Sequence, residues 1–426
     1  MDPVYGAVYL ALARYIIPVF GFWILLRCGA DLLRGRQNAV RDVVSLLLVT
    51  VFQGLNGFGF WVAGQRMAVL GYWAVAMLQW LMLLAYVLAG KSGFSLETLL
   101  FFLCSLGIGA VMAVKPEETG KQAIAVALGV AVYLLVLWSI SHEQRRRFVA
   151  NIAAVLGLLL PALTLIFGKE YYGAKSWLAL GPLSVQPSEI SKICFIYAGM
   201  EKKSLIWILL YGAVVCAGMI FMNDFGSAVV FFGALFMMML LNWGAFAALA
   251  AATAGIGVGL GRMPAHALRR FALWRHIWEE PMADGFQQTR GLMCIAAGGV
   301  FGLGIGAGRM KNIFAADSDV VFATICETWG LLVGVMPLVG VGILLLYAVR
   351  MAAGGGWRGI AGCGAVTMLG IQTALNVLGT VDWLPMTGVT LPFVSNGGTA
   401  MVASWGLAAF IKAMGDRDHG PNGQAG

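Results

Sequence analysis

Two pairs of ionisable side chains lie at the ends of apolar stretches, where a charged group can take part in chemistry. Asp317 and Asp319 come just before a long apolar run, and Glu189 and Lys192 lie three positions apart at the start of another. A carboxylate at the boundary between water and an apolar phase can act as a general base if partial burial raises its pKa. Asp319 is therefore a candidate base, although the helix macrodipole alone also favours a carboxylate in a first turn.

The same four residues allow other interpretations. Asp317 and Asp319 are close enough to bind a divalent cation such as Mg²⁺ or Mn²⁺, or Asp317 could be a solvated loop charge. Glu189 and Lys192 share one face of a helix. Because an ionisable pair beside a membrane is costly unless it is paired or functional, this pair is either structural or part of a polar binding network.

Further candidates precede apolar runs in the same way. Lys175 could bind a phosphate group, whereas Trp177 could belong to an aromatic belt at a membrane interface. Asp224 could bind an acceptor or cap its helix. The segment 262–318 is rich in basic residues, which suggests either a polyanionic ligand or neutralisation by lipid headgroups; these residues are Arg262, Arg269, Arg270, Arg275, Arg290, Arg309 and Lys311.

The elements that position these residues must be membrane helices. Hydrophobic residues make up 60% of the 426 positions and charged residues only 11%, whereas a soluble domain has roughly 25% charged residues. The mean hydropathy is +0.85. The formal charge of +8 is explained by basic cytoplasmic loops, so no nucleic-acid partner is expected. The seven cysteines lack CxxC spacing and the four histidines lack ligand spacing, so neither suggests a metal site or a disulfide framework.

Apolar runs long enough to cross a bilayer predict about thirteen transmembrane helices. The first is expected to be a retained span, since it lacks a basic leader and a cleavage site. The predicted spans are 5–26, 43–64, 67–90, 95–114, 121–141, 148–167, 188–200, 204–222, 225–242, 244–261, 319–349, 358–380 and 390–413.

The short basic loops predict the orientation of these spans. Basic residues follow the first, fifth, seventh and eleventh spans and occupy the tail, and they include Arg27, Arg34, Arg36, Arg41, Arg145, Arg146, Arg147, Lys202, Lys203, Arg350, Arg358, Lys412 and Arg417. With thirteen spans, all of them fall on the cytoplasmic side, so the N-terminus is expected outside and the C-terminus in the cytoplasm. The segments 168–187 and 262–318 then lie outside, the second as a long extracytoplasmic loop.

Four segments within residues 95–414 resemble, in the same order, motifs of the SEDS family of FtsW, RodA and SpoVE type. They contain GAKSW with QPSEISK (173–192), NDFGSAVV (223–230), FQQTRG with the loop and helix after it (286–334), and NVLG to LPFVSNGG (376–398). The family has ten spans, which this stretch matches. The resemblance implies an all-α polytopic bundle of ten helices over residues 94–415, with three additional N-terminal helices and a disordered cytoplasmic tail, 416–426.

The resemblance also implies a function. Members of the family are peptidoglycan glycosyltransferases of the bacterial plasma membrane, which polymerise lipid II, release undecaprenyl pyrophosphate and work with a class B penicillin-binding protein. Asp319, with Ser318, Phe322 and Ala323 matching around it, is the implied catalytic residue. The residues that the motifs place at a substrate site are Lys175, Trp177, Gln186, Ser188, Glu189, Lys192, Asp224, Gln287, Lys311, Glu327, Ser395 and Gly397.

The sequence departs from the family pattern at several of these motifs. The positions that differ are Ser176, Met222 with Asn223, Asp317, Thr328 with Trp329, and Asn396. These changes leave open an altered donor, a different partner or reduced activity. A flippase or transporter for a lipid-linked precursor and an inactive scaffold for a penicillin-binding protein therefore remain alternatives. Residues 1–93 could be an accessory bundle that docks a partner or a membrane anchor, and the process served could be elongation, division or sporulation.

Overall fold

The computed structural model describes residues 3–35, 38–67, 69–171, 174–180, 183–201, 204–261, 265–352 and 355–415. The tail predicted to be disordered, 416–426, lies outside these residues. Five basic residues used above to predict orientation or outer charge also lie outside them: Arg36, Lys202, Lys203, Arg262 and Arg417.

Helices account for most of the described chain. Their bounds are α1 Pro3–Arg34, α2 Ala39–Val62, α3 Leu70–Leu88, α4 Ser95–Val114, α5 Thr119–Ile140, α6 Glu143–Phe167, α7 Pro187–Met200, α8 Leu205–Phe221, α9 Phe225–Gly261, α10 Ala265–Leu273, α11 Phe286–Gly298, α12 Val321–Trp329, α13 Leu331–Gly334, α14 Met336–Ala352, α15 Gly356–Thr380 and α16 Gly398–Gly415. Local sequence signals determine where several of these helices begin. The Asn38 side chain accepts from the Val40 amide at the start of α2, and Pro187 is the first residue of α7.

The helices confirm an all-α polytopic membrane protein. Nine of the described helices are long and apolar enough to cross a membrane, and α7 and α8 are shorter. The predicted count of thirteen spans is therefore not confirmed. The boundary predicted between spans 225–242 and 244–261 coincides with Gly244 of α9, where φ is 83° and the backbone leaves the helical conformation.

Two predicted spans are wrong in detail. The run 319–349 is not a single helix: it begins at Val321 and is interrupted at Gly330, whose φ of 86° favours glycine. The last span begins at Gly398 and not at 390, since the preceding residues form an irregular segment. Hydropathy does not detect the break at Gly330 because apolar residues lie on both sides of it, and the apolar residues 391–394 extend the last predicted span ahead of α16.

The centre of the bundle is α4, which is buried along nearly its whole length, as expected of a helix that is apolar on all sides. Around it, α5 packs along α16, α6 along α7, and α9 along α15. The helices α1 to α3, which we call the N-terminal module, pack against α4, and α1 also packs against α14. Glycines allow this close approach, since a Cβ at Gly21 would lie 2.5 Å from the Met336 sulfur.

One end of the bundle, which we call the outer end, collects the described segments 115–118, 168–171, 174–180, 183–186, 222–224 and 381–397. Here β1 Lys169–Tyr171, β2 Ala174–Leu180 and β3 Leu183–Val185 form an antiparallel sheet in the order β1-β2-β3, with Leu178 opposite Val185. The helices α10 and α11 lie in the long loop that precedes α12. The outer end is therefore where the predicted site residues can meet.

The opposite end, which we call the inner end, holds a buried polar cluster. The Glu97 carboxylate accepts hydrogen bonds from the hydroxyls of Tyr86 and Tyr133 and pairs with Lys412 at 3.0 Å. The Lys412 ammonium also donates to the Gly93 carbonyl at 2.6 Å. These four side chains, the inner cluster, connect α3, α4, α5 and α16.

Candidate functional site

The predicted base, Asp319, lies in an irregular turn two residues before α12. The expectation that it occupies the first turn of the helix is wrong, because the helix begins at Val321. Its backbone carbonyl accepts from the Asn376 amide at 3.0 Å, and the neighbouring carbonyl of Ser318 accepts from the Ser395 hydroxyl at 2.8 Å. Side chains from α15 and from the segment before α16 therefore fix the backbone that carries the carboxylate.

The Asp319 carboxyl is partly exposed, and its pKa is raised. Burial raises its pKa to about 6, while the Ser318 hydroxyl and the Arg270 guanidinium act in the opposite direction and Asp317 adds to the rise. A group with this pKa is largely ionised at neutral pH and can still accept a proton. The acidity is thus suited to general base catalysis.

Arg270, on α10, is the cation that faces this carboxyl. Its guanidinium donates to the Met386 carbonyl at 3.0 Å, and it interacts electrostatically with Asp319, Asp224 and Asp284. Burial lowers its pKa. The basic character of the loop suggested an anion site, but only the fold identifies which arginine faces the base.

Gly388 lies between the two charged groups. Its φ is 71°, and a Cβ there would lie 3.5 Å from Asp319 Oδ2 and 3.9 Å from Arg270 Nη1. Any side chain would therefore strain the backbone and fill the space beside both groups. Among the described residues, none forms a hydrogen bond with the buried hydroxyls of Thr387 and Thr390, which flank Gly388.

Asp317 is held by other residues. Its carboxylate pairs with Lys115 at 3.0 Å and accepts from the Asn396 amide at 2.8 Å, and that amide also donates to Glu118. The Asp317 carboxylate thus already has a cation and an amide as partners. Within the described residues no three His, Cys, Asp or Glu side chains form a metal-binding group. The divalent cation at Asp317 and Asp319 stays a prediction, and we assign it no step.

The Glu189–Lys192 pair lies inside the bundle on α7. The two side chains are 2.6 Å apart, with exposed fractions of 5% and 1%. Lys192 therefore reaches a ligand only if this pair opens. Ser188, beside them, has a buried hydroxyl for which the described part of the chain provides no hydrogen-bond partner.

Asp224 caps α9, one of the two roles that the sequence left open. Its carboxylate accepts from the Ser227 amide at 3.0 Å and from the Ser227 hydroxyl at 2.8 Å. The Gln186 amide lies 3.5 Å from the same carboxylate. Binding of an acceptor by Asp224 or Gln186 stays a prediction.

Lys175 and Trp177 lie on β2. The Lys175 ammonium donates to the Leu165 carbonyl at 2.7 Å near the end of α6, and Trp177 is opposite Lys169 of β1. In this arrangement Lys175 caps the C-terminal end of α6, so its contact with phosphate stays a prediction.

Three predicted residues lie in or after the long loop: Gln287 and Lys311 precede α12, and Glu327 lies on it. Glu327 is buried and accepts from the backbone amides of Arg309 and Met310, at 2.8 and 2.9 Å. Gln287 donates to the Phe314 carbonyl at 2.9 Å, and Lys311 is exposed in a short 3₁₀ turn. Glu327 therefore organises the loop, whereas Lys311 remains available to an anion.

The segment before α16 contributes Ser395 and Gly397. The buried Ser395 hydroxyl accepts from the Leu391 amide at 2.8 Å and donates to Ser318, so it connects this segment to the turn of Asp319. A Cβ at Gly397 would lie 3.3 Å from that of Ala400 and 3.7 Å from a methyl of Thr390. The segment before α16 thus supports the turn that carries Asp319.

The structure places Asp319 and Asp224 near Arg270, and Ser395 binds the turn that carries Asp319. Lys175, Lys192 and Glu327 are engaged elsewhere. Sequence reasoning missed five residues: Lys115, Glu118, Arg270 as the specific cation, Asn376 and Gly388. Asn376 and Gly388 lie within the matched segment 376–398, which was the available signal. Lys115 and Glu118 follow a span and carry no motif.

A family model described as "Cell cycle protein", FTSW_RODA_SPOVE, matches residues 99–417. The chain is 32% identical over 275 residues to the probable peptidoglycan glycosyltransferase FtsW of Halomonas elongata, which covers 59% of this chain and 69% of that relative. It is 27% identical to the stage V sporulation protein E of Bacillus subtilis, covering 66% and 82%. It is also 27% identical to the peptidoglycan glycosyltransferase RodA of Mycobacterium tuberculosis, covering 69% of each.

Two solved structures have the same fold. A chain from a peptidoglycan synthase complex that coordinates polymerization and crosslinking superposes with a TM-score of 0.63 at 23% identity, over 77% of this chain and 99% of that one. The rod shape determining protein RodA of Thermus thermophilus superposes with a TM-score of 0.53 at 24% identity, over 75% and 95%. At this identity the likeness concerns the fold.

Proposed function

Because the chain belongs to the FtsW/RodA/SpoVE family, whose model it matches over residues 99–417, we propose that it polymerises peptidoglycan glycan strands from lipid II and releases undecaprenyl pyrophosphate. Relatives that carry the name peptidoglycan glycosyltransferase place the chain among glycosyltransferases. One observation supports the proposed polymerisation of lipid II: Asp319 is partly buried and faces Arg270 across Gly388.

Asp319 is the proposed general base. It accepts the proton of an acceptor hydroxyl, whose oxygen then forms the new bond to the anomeric carbon of the donor sugar. The bond between that carbon and the pyrophosphate oxygen breaks, and its electron pair leaves with the pyrophosphate. A base of this kind contributes about 10²–10⁴ in rate.

Arg270 is the proposed counter-charge for the pyrophosphate that develops as the bond breaks. A cation placed where negative charge appears stabilises the transition state more than the ground state. Arg270 is close to the base, and Lys311 is an exposed cation in the same loop. Lys192 and Lys175 would join them only after leaving Glu189 and the Leu165 carbonyl.

We place the chain in the bacterial plasma membrane as a multi-pass protein, with the outer end facing away from the cytoplasm. This agrees with the predicted orientation, N-terminus outside and C-terminus in the cytoplasm. A class B penicillin-binding protein is the proposed partner. Support comes from the similar chain in the peptidoglycan synthase complex. The relatives include proteins named FtsW, RodA and stage V sporulation protein E. Elongation, division and sporulation all stay open as the process that the chain serves.

The test is glycan polymerisation from labelled lipid II by the purified protein, alone and with candidate class B partners. Asp319→Asn keeps the size of the side chain and removes the basic group, so we expect the rate to fall about 10²–10⁴-fold. Asp382→Asn is the matched control. This carboxylate lies at the same outer end, where it accepts from the Arg275 amide, and we expect the wild-type rate.

Equal rates for wild type and Asp319→Asn would contradict the role of the base. If neither protein forms polymer in any combination while both still bind lipid II, the polymerase proposal fails and a precursor flippase or an inactive scaffold takes its place. Transport of labelled lipid II across vesicle membranes would then separate these two alternatives.

A further inference from the structure

The N-terminal module lies outside the residues that match the family, yet it contacts the helix that follows the proposed base. The indole N–H of Trp329, the last residue of α12, donates to Asn56 Oδ1 of α2 at 2.9 Å. Asn56 and Trp329 have exposed fractions of 0% and 2%. The Asn56 amide in turn donates to the Phe52 carbonyl at 2.9 Å, so the acceptor is held in place.

The glycine-rich segment 298–308 lies between the module and α12. Its backbone follows the end of the helix, with the amides of Leu303 and Gly304 donating to the carbonyls of Glu327 and Thr328. A Cβ at Gly302 would clash with the Thr328 carbonyl oxygen, so this approach requires glycine. The glycines therefore serve close backbone packing.

The module contacts the other side of the same segment. The rings of Tyr15 and Phe301 are 5.0 Å apart, and a Cβ at Gly59 would lie 2.6 Å from the Ile305 side chain. The Trp329 ring also packs against Phe60, with centroids 6.1 Å apart. The C-terminal end of α12 thus rests on α1 and α2.

The N-terminal end of α12 is held by a different set of residues. Lys115 and Asn396 bind Asp317, and Asn376 and Ser395 bind the backbone of Asp319 and Ser318. A helix of nine residues is about 14 Å long. Because close-packed interiors transmit displacements, a tilt at one end of so short a helix reaches the other.

We propose that Asn56 is a positioning residue: by accepting the Trp329 indole N–H, it lets the N-terminal module hold α12, and through α12 it sets the position of Asp319. The proposal rests on the proposed function for its kinetic consequence only. It assigns the three additional helices a role in the catalytic geometry and not only in anchoring the chain.

The test compares Asn56→Leu with a matched control, Gln79→Leu. Gln79 is a buried amide of the same module that exchanges hydrogen bonds with Gln53 at 3.0 and 3.1 Å and does not bond to α12. For Asn56→Leu we expect kcat per folded molecule to fall about 10- to 100-fold, with a smaller change in KM. For the control we expect a lower melting temperature and an unchanged kcat.

A second measurement is the pH dependence of kcat. The groups that face Asp319 are Arg270 from α10 and Asp317 and Ser318 from its own segment, while Asp224 and Asp284 face Arg270. None of them is changed in either variant. A released α12 exposes Asp319 to water, so its pKa falls and the acid midpoint of kcat moves to lower pH in Asn56→Leu, but not in the control.

Hydrogen exchange followed by mass spectrometry gives a measurement independent of activity. Faster exchange over 317–329 in Asn56→Leu, and not in Gln79→Leu, supports the proposal. Should Asn56→Leu fold poorly, Trp329→Phe replaces it, since it removes the indole N–H from the other side of the same hydrogen bond. Where Asn56→Leu folds, the double variant of Asn56→Leu and Trp329→Phe leaves neither side of this bond unpaired, so its loss of kcat is expected to be smaller than the product of the single losses.

A melting temperature lowered to the same extent in both variants, with wild-type kcat, acid midpoint and exchange over 317–329, would overturn the proposal. If the wild-type protein itself forms no polymer, the proposed function fails, and the exchange measurement alone decides the connection between Asn56 and α12.

Discussion

The two ends of the bundle use the same residue types in opposite ways. At the inner end, Glu97 is wholly buried and accepts from Lys412 and two tyrosine hydroxyls. At the outer end, Asp319 is partly exposed, and its cation Arg270 donates to a backbone carbonyl. Buried hydroxyls at Ser188, Thr387 and Thr390 have no partner among the described residues.

The two ends therefore differ in role: the inner cluster stabilises the fold, whereas the outer end can take part in chemistry. A cluster in which hydrogen bonds satisfy the charges stabilises the fold and has no capacity left to bind a substrate. Groups without partners are costly to bury, and at a binding site a ligand can complete them. We therefore expect changes to the inner cluster to alter stability and changes to Asp319 and Arg270 to alter rate.

The largest effect is expected from Lys412→Met at the inner end. Removing the ammonium leaves the Glu97 carboxylate buried without its cation, which costs about 3–5 kcal/mol of unfolding free energy. Unfolding in detergent, followed by circular dichroism, measures this loss. Adding Glu97→Gln removes the unpaired charge and keeps an acceptor for the tyrosines, so the double variant recovers most of the stability.

A changed polymerisation rate per folded molecule in Lys412→Met would contradict the expectation that the inner cluster affects stability alone. That result would mean that the inner cluster takes part in turnover. Stability and rate are therefore measured on the same preparations.

A smaller effect concerns the pH dependence of the outer end. Because Asp319 acts in its ionised form and its pKa is about 6, we expect the wild-type kcat to rise with pH through about 6. At one unit below the pKa, about a tenth of the groups are ionised, so kcat at pH 5 is expected to be about tenfold below its plateau.

Arg270→Gln sharpens this test. The guanidinium lowers the pKa of Asp319, so its removal raises that pKa and moves the acid midpoint of kcat to higher pH. The plateau also falls, since the counter-charge for pyrophosphate is lost. An unchanged midpoint would show that Arg270 and Asp319 do not interact during turnover.

The smallest effect is expected at Asp224, which lies at the outer end but caps α9. Asp224→Ala removes the cap and is expected to cost about 1 kcal/mol of stability. Asp224→Asn keeps an accepting oxygen, so its stability should equal that of the wild type, and its rate should change less than that of Arg270→Gln. A large loss of rate in Asp224→Asn would identify Asp224 as a contact of the acceptor.

Much of the architecture could be predicted from composition and motif order. The apolar runs gave the helices, and the matched segments gave the family and the enzyme class. The break at Gly330 was not predictable, since apolar residues predominate on both sides of it. The start of α16 was misplaced because the apolar residues 391–394 lie just before it.

The contacts within the site were harder to predict from the sequence. The pairing of Glu189 with Lys192 follows from helical spacing and was predicted, because both lie on one helix. The pairing of Lys115 with Asp317 joins positions 202 residues apart, and no local pattern encodes it. Likewise the sequence offered several loop arginines, and only the packing of α10 against the segment 386–390 identifies Arg270.

The hydrogen bond between Asn56 and Trp329 joins residues 273 positions apart, which has a consequence for biosynthesis. At about 5–20 residues per second, the ribosome needs roughly 14–55 s to complete the donor after the acceptor. During that time α2 lies in the membrane without its final neighbour. The Gln53–Gln79 pair spans only 26 residues, so the nascent module can be held together by its own amides until the rest of the chain arrives.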